Sequence, residues 1–257
     1  MKNTGMCCIM MGLVLLSGCI TTPKGVVTFD DGSTYKGMLT DGVPNGKGIL
    51  VFPDGGKYKG EFKNGMMDGK GAYYYADEKS SYKGDFKAGK RHGEGVLTRP
   101  YGKRTSIYTG TFVNDSGEGK ATQELVGLFT IECNCTDTKA FGPGIRTYTN
   151  GDKYVGEFKN NHHYQGVYTW ANGDRYEGPF NGWKPHGKGV MTFADGGKYV
   201  GDFKNQLLDG NGVYTFTDGS RYEGEFKKGK MDGKGVLIAK DGTKTEGTFK
   251  DDELVKK

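Results

Sequence analysis

Tyr58-Lys59-Gly60-Glu61-Phe62 carries a pattern, Tyr-x-Gly-x-Phe, that occurs seven times in the chain. The other complete copies begin at Tyr82, Tyr108, Tyr154, Tyr176, Tyr199 and Tyr222, and weaker ones at Tyr35 (YKGML) and Thr245 (TEGTF). Successive copies are 23, 24, 26, 46, 22, 23, 23 and 23 residues apart. The step of 46 leaves room for one more copy at Ile131, where Ile131-Glu132-Cys133-Asn134-Cys135 puts cysteine in the glycine and phenylalanine positions. A period this short signals a repeat array, whose units bury their apolar faces against their neighbours.

One copy can be read as local structure. Tyr199, Gly201 and Phe203 are two apart, so a strand turns them to one face and Val200, Asp202 and Lys204 to the other. Asn205–Asp209 then reads as a crossing to Gly210-Asn211-Gly212, followed by a second strand, Val213-Tyr214-Thr215-Phe216. Thr217-Asp218-Gly219 closes the unit, and Asp-Gly is a strong hairpin-turn signal. A lone two-stranded hairpin is marginal in water. About ten of them in series predict an all-β fold, an elongated, twisted single antiparallel sheet of consecutive β-hairpins.

The glycines have two expected jobs. Gly between Tyr and Phe leaves bare backbone over which a ring can lie. The pair 11 and 13 residues past the tyrosine, as in Gly69/Gly71 and Gly210/Gly212, predicts positive φ or a tight crossing. In the Tyr108 copy this pair reads as arriving early, at Gly117 and Gly119, with a loop two residues shorter. A bend or seam is expected near the degenerate copy at 131–144, between the first four repeats and the sixth to tenth. The chain has 46 glycines, and those of the array recur at a fixed phase and are not a flexible linker. The net charge of +5 is spread among interspersed acids and bases, without the basic block that tracks a phosphate backbone, which argues against nucleic acid.

Ahead of the array, Lys2 precedes an apolar run, Met6–Leu16, too short for the roughly 20 residues of a spanning helix and suited to a secretory signal. Leu16-Ser17-Gly18-Cys19 resembles the lipobox of bacterial lipoproteins. That resemblance implies a signal peptide at 1–18, acyl chains on Cys19, a tether at 19–24 and the array at 25–257. With Ile20 after the cysteine, it also implies the bacterial cell envelope, lipid-anchored, at the outer membrane.

The chemistry-bearing residues follow the repeat. Carboxylates recur at Glu61, Asp85, Glu157, Asp202 and Glu225, which reads as a solvated face and not as an acid–base pair. His92 and His186 share one repeat position with Asp68, Asp209 and Asp232, and so read as polar turn residues. His162-His163 lacks an evident third ligand, and Cys133-x-Cys135 lacks a second cysteine pair, so no metal site is expected. Three states of Cys133 and Cys135 stay open: thiols, a strained disulfide between the two, or a bridge between chains. No nucleophile elbow or phosphate loop is present, and neither an enzyme nor a cofactor is expected. Most rings read as core, with Trp170 and Trp183 as contact candidates.

The Tyr-x-Gly-x-Phe copies, with their trailing glycine pairs, resemble MORN (membrane occupation and recognition nexus) repeats over nearly the whole mature chain. The resemblance implies a non-enzymatic scaffold for protein partners, or alternatively a binder of anionic lipid headgroups or glycan, for which Lys36, Lys59 and Lys83 are the electrostatic support. MORN arrays also pair through their ends, so a homodimer is open by resemblance.

Overall fold

The computed structural model describes residues 24–255; the lipobox and Cys19 lie outside them. The described residues form twenty-two strands joined by turns. They fall into two compact units, 24–127 with Cys135–Thr138, and Leu128–Asn134 with 139–255, so the division runs through the degenerate copy. In the first unit, consecutive strands pair antiparallel from Gly25–Thr28 to Ser116–Leu125. In the second, they do so from Lys139–Tyr148 to Glu253–Leu254. The expected all-β fold of consecutive antiparallel hairpins is what the chain adopts.

Register explains the glycines. Gly48 pairs with Gly60, Gly60 with Gly71, Gly71 with Gly84 and Gly84 with Gly95, a continuous row of bare backbone across the strands. The second unit repeats it from Gly189 to Gly247. In the regular copies each tyrosine lies over two such glycines. A methyl group added at Gly60 or Gly71 would fall inside the Tyr58 ring, and one at Gly201 or Gly212 inside that of Tyr199. The tyrosines at 35, 58, 82, 154, 176, 199 and 222 are all fully buried.

Rings also meet rings, edge to face. In the second unit Tyr176 sits 5.2 Å from Phe180 and 4.9 Å from Phe203, and Tyr199 sits 5.2 Å from Phe203 and 5.0 Å from Phe226. In the first unit the chain runs Tyr35–Phe62–Tyr58–Phe86–Tyr82–Phe112–Tyr108. Each tyrosine of a complete copy thus touches the phenylalanine of its own copy and, in the regular copies, that of the next. Such pairs contribute about 0.5–1.5 kcal/mol each beyond their buried area.

The tyrosine hydroxyl fixes the last feature. Tyr58 donates to the Glu61 carbonyl at 3.0 Å, Tyr154 to that of Glu157 at 2.7 Å, and Tyr199 to that of Asp202 at 3.1 Å. The ladder slips at these carbonyls. Gly60 pairs with Gly71 but Phe62 with Met67, so Glu61 alone faces Asp68-Gly69-Lys70 in a β-bulge. Gly69 and Gly210 lie in such bulges with φ of 104° and 119°, a region side-chain-bearing residues avoid. The two expected jobs therefore divide between the glycines of the pair, positive φ for the first and a ring overhead for the second.

Two expectations need correction. The crossing at Asn205–Asp209 is only the two-residue turn Asn205-Gln206, both with positive φ, and Leu207–Thr215 is one bulged strand that takes in both glycines. In the Tyr108 copy the loop is not shortened. Gly110 pairs with Ala121 and Phe112 with Gly117, so Gly119 holds the bulge position and Ala121 replaces the second glycine. The Ala121 methyl stands where the ring would lie, and the Tyr108 hydroxyl reaches the Thr111 carbonyl at 3.3 Å.

Burial pushes the phenols of Tyr154, Tyr176 and Tyr199 up to about 12. Their contribution to stability is complete below the ordinary value of 10 and is lost as pH rises through about 12. Spectrophotometric titration is expected to show tyrosines that ionise only as pH nears 12, together with loss of strand signal. Ionisation of every tyrosine near pH 10 with the strands intact would contradict their burial.

Candidate interaction surface

Side chains alternate along each strand, so whatever lies across from the rings forms a second face. Cross-strand pairing aligns it into rows. In the first unit one row runs Val26, Lys36, Ile49, Lys59, Ala72, Lys83, Val96. Its counterpart in the second unit runs Val190, Val200, Val213, Glu223, Val236, Glu246. Val26 is 69% exposed and Val200 47%. This face is a regular array of solvent-facing side chains on a backbone held from behind by the rings.

The recurring carboxylates have a structural task on this face. Glu61 Oε2 accepts from the Lys70 amide at 3.2 Å, Asp202 Oδ2 from the Asn211 amide at 3.0 Å, and Glu225 Oε1 from the Lys234 amide at 3.3 Å. They cap amides that the bulge takes out of the ladder. Asp85 also takes an ion pair from Lys70 at 2.6 Å, and exposed pairs of this kind contribute at most about 1 kcal/mol.

The second unit holds a cluster that the sequence reading missed. Arg146 is fully buried at a position where other copies carry Leu50, Tyr73, Leu97 or Met191. Its guanidinium carbon lies 4.2 Å from the Trp183 ring centre and 4.4 Å from that of Phe129. Nη2 donates to the Asn161 carbonyl at 2.8 Å and Nη1 contacts His163 Nε2 at 3.3 Å. No carboxylate among the described residues pairs with it. Burial lowers its pKa, and the ring faces offset part of the cost of the buried charge. The signal available in the sequence was an arginine at an apolar repeat position, next to the copy that lacks its own Tyr and Phe.

His163 stacks on Tyr154 with ring centres 3.7 Å apart and planes 11° from parallel. It faces an arginine donor, so Nε2 accepts and Nδ1 carries the proton. Trp183, expected as a contact candidate, is half given over to covering Arg146 and stays 46% exposed, while Trp170 is half-buried beside Tyr168. Cys133 and Cys135 are both buried in Phe129–Thr136. Cys133 crowds Gly144 where a tyrosine ring would otherwise lie, and Gln123 donates to Cys135 Sγ at 3.2 Å. The His92 and His186 carbonyls lie 3.4 Å from the Tyr82 and Tyr176 hydroxyls, at the start of the bulges. Among the described residues, no group of three or more His, Cys, Asp or Glu side chains converges to hold a metal ion.

Comparison with family models matches the MORN repeat at residues 35–57, 58–79, 82–104, 138–153, 154–175, 176–198, 199–221 and 222–244. The gap from 105 to 137 covers the copies with Ala121 and with Ile131, where the ring-over-glycine arrangement lapses. A comparison with curated proteins returns no match.

Burial, then the charge of Arg146, push His163 down to about 3 from 6.5. The unfolded chain therefore takes this proton first, and stability falls as pH drops from about 6.5 toward 3. His163→Met installs the residue type found at Met67 and Met231. Denaturant unfolding across that range is expected to show a smaller acid loss in the variant than in the wild type. Superimposable pH profiles would contradict a buried neutral histidine.

Proposed function

We propose that this chain, which belongs to the MORN-repeat family, is a non-enzymatic scaffold tethered to the bacterial cell envelope and engaging a protein partner. MORN repeats suggest a scaffold for protein or membrane interaction. The observation that carries the reading is the division of labour between the faces. The rings that recur in phase are consumed internally, Tyr on Gly and Tyr on Phe, while the opposite face stays exposed or half-buried and varies from copy to copy. A surface built this way supplies contact positions without supplying reactive ones.

Tethering rests on the lipobox, Leu16-Ser17-Gly18-Cys19. Two or more acyl chains on Cys19, at about 0.8 kcal/mol per buried methylene, hold a protein stably on a bilayer. Ile20 favours the outer membrane in enterobacteria-like sorting. Cross-linking in intact cells followed by purification of the array is expected to recover a protein companion in stoichiometric yield; recovery of lipid alone would overturn the protein-scaffold reading. Cys19→Ala is expected to shift the protein out of the washed membrane fraction. Unchanged membrane retention would remove the lipid anchor from the account.

A further inference from the structure

The second face of the first unit carries a groove lined by Lys24, Lys36, Lys47, Lys59 and Lys70, with Glu61 as the acid among its lining residues. Val26, Ile49 and Ala72 alternate with Lys36 and Lys59 along its length. Lys83 continues the row beyond Ala72 and is followed by Val96. Lys36, Lys59 and Lys83 are all exposed, and no described carboxylate forms an ion pair with any of them. The equivalent positions of the second unit hold Val155, Glu177, Val200, Glu223 and Glu246, two of whose glutamates are already paired with Arg175 and Arg221. The repeat architecture therefore does not require lysine here, and the first unit alone gathers unpaired cations on an aliphatic row.

Building on the scaffold reading, we propose that this groove docks an acidic, extended segment of a partner protein that crosses the strands. Charge complementarity selects the acids, and Val26, Ile49, Ala72 and Val96 receive aliphatic side chains between them. Spacing sharpens the match. The lysines recur every second strand, about 9.6 Å apart at the usual strand separation. A polyproline II chain advances about 3.1 Å per residue and returns to the same face every third residue, about 9.3 Å on. An acid at every third position of an extended segment therefore meets each lysine in turn. A bilayer surface offers anionic headgroups but no aliphatic side chains at this interval, which is why a protein segment is favoured.

The test uses the detergent-solubilised full chain and a fluorescent peptide of four Glu-Pro-Val repeats. A Lys-Pro-Val counterpart and phosphatidylglycerol vesicles serve as the other probes. The acidic peptide is expected to bind, the basic one not to, and binding is expected to collapse near 1 M salt, where screening acts within about 3 Å. K36E/K59E/K83E is expected to weaken binding by at least about tenfold, while K153E/K198E/K227E, with the same change of charge in the second unit, stays within about twofold. Circular dichroism on both variants confirms that the strands remain. Equal loss in the two variants, equal binding of the two peptides, or binding to vesicles but not to the acidic peptide would overturn the assignment. Companions captured equally by the wild type and K36E/K59E/K83E would leave the scaffold standing and overturn the groove.

Discussion

A tyrosine ring laid flat on two cross-paired glycines is the contact on which every regular copy depends. Hairpins of this size do not hold alone. Here the ring covers bare backbone from both strands of a hairpin, its edge meets two phenylalanines, and its hydroxyl takes the carbonyl exposed by the bulge. One side chain thus ties its own strand to the next strand and to the next copy. The glycines follow from that geometry, since any side chain at either place would occupy the volume of the ring.

Where the contact lapses, the chain substitutes other solutions. Ala121 displaces part of the ring in the Tyr108 copy. The Ile131 copy has neither ring, and Cys133 packs on Gly144 instead. The phenylalanine next in line, Phe158, meets the Arg146 guanidinium at 5.3 Å where regular copies present a preceding tyrosine. A buried arginine costs more than an apolar pair would, and the aromatic faces, the Asn161 carbonyl and the ring-shaped space its planar group fills offset part of that cost.

The fold was legible in the sequence because its period and its Tyr-x-Gly-x-Phe spacing encode strand, face and partner together. The bulge was not. Nothing in Asp209-Gly210-Asn211 distinguishes a loop from a strand with one residue too many, and only register shows that Asp202 caps the Asn211 amide. The early glycines at Gly117 and Gly119 misled for a related reason: counting glycines cannot reveal an alanine standing in for one. His163 was visible only as half of a histidine pair, since its burial depends on Arg146, seventeen residues away. The lysine row was visible as residues, but its alternation with Val26, Ile49 and Ala72 required the strand pairing.

The two faces are therefore under different physical constraints. The ring face must keep volume and phase, whereas the opposite face needs only exposed strand-compatible side chains, which leaves lysine, valine and glutamate free to vary by unit. All of this rests on glycine being present for the sake of the ring. A double-mutant cycle between Gly212 and Tyr199, read by denaturant unfolding, tests that directly. Gly212→Ala is expected to cost about 1–3 kcal/mol beside Tyr199 and close to nothing in a Tyr199→Leu background, a coupling of about 1 kcal/mol or more. An equal cost in both backgrounds would contradict the account.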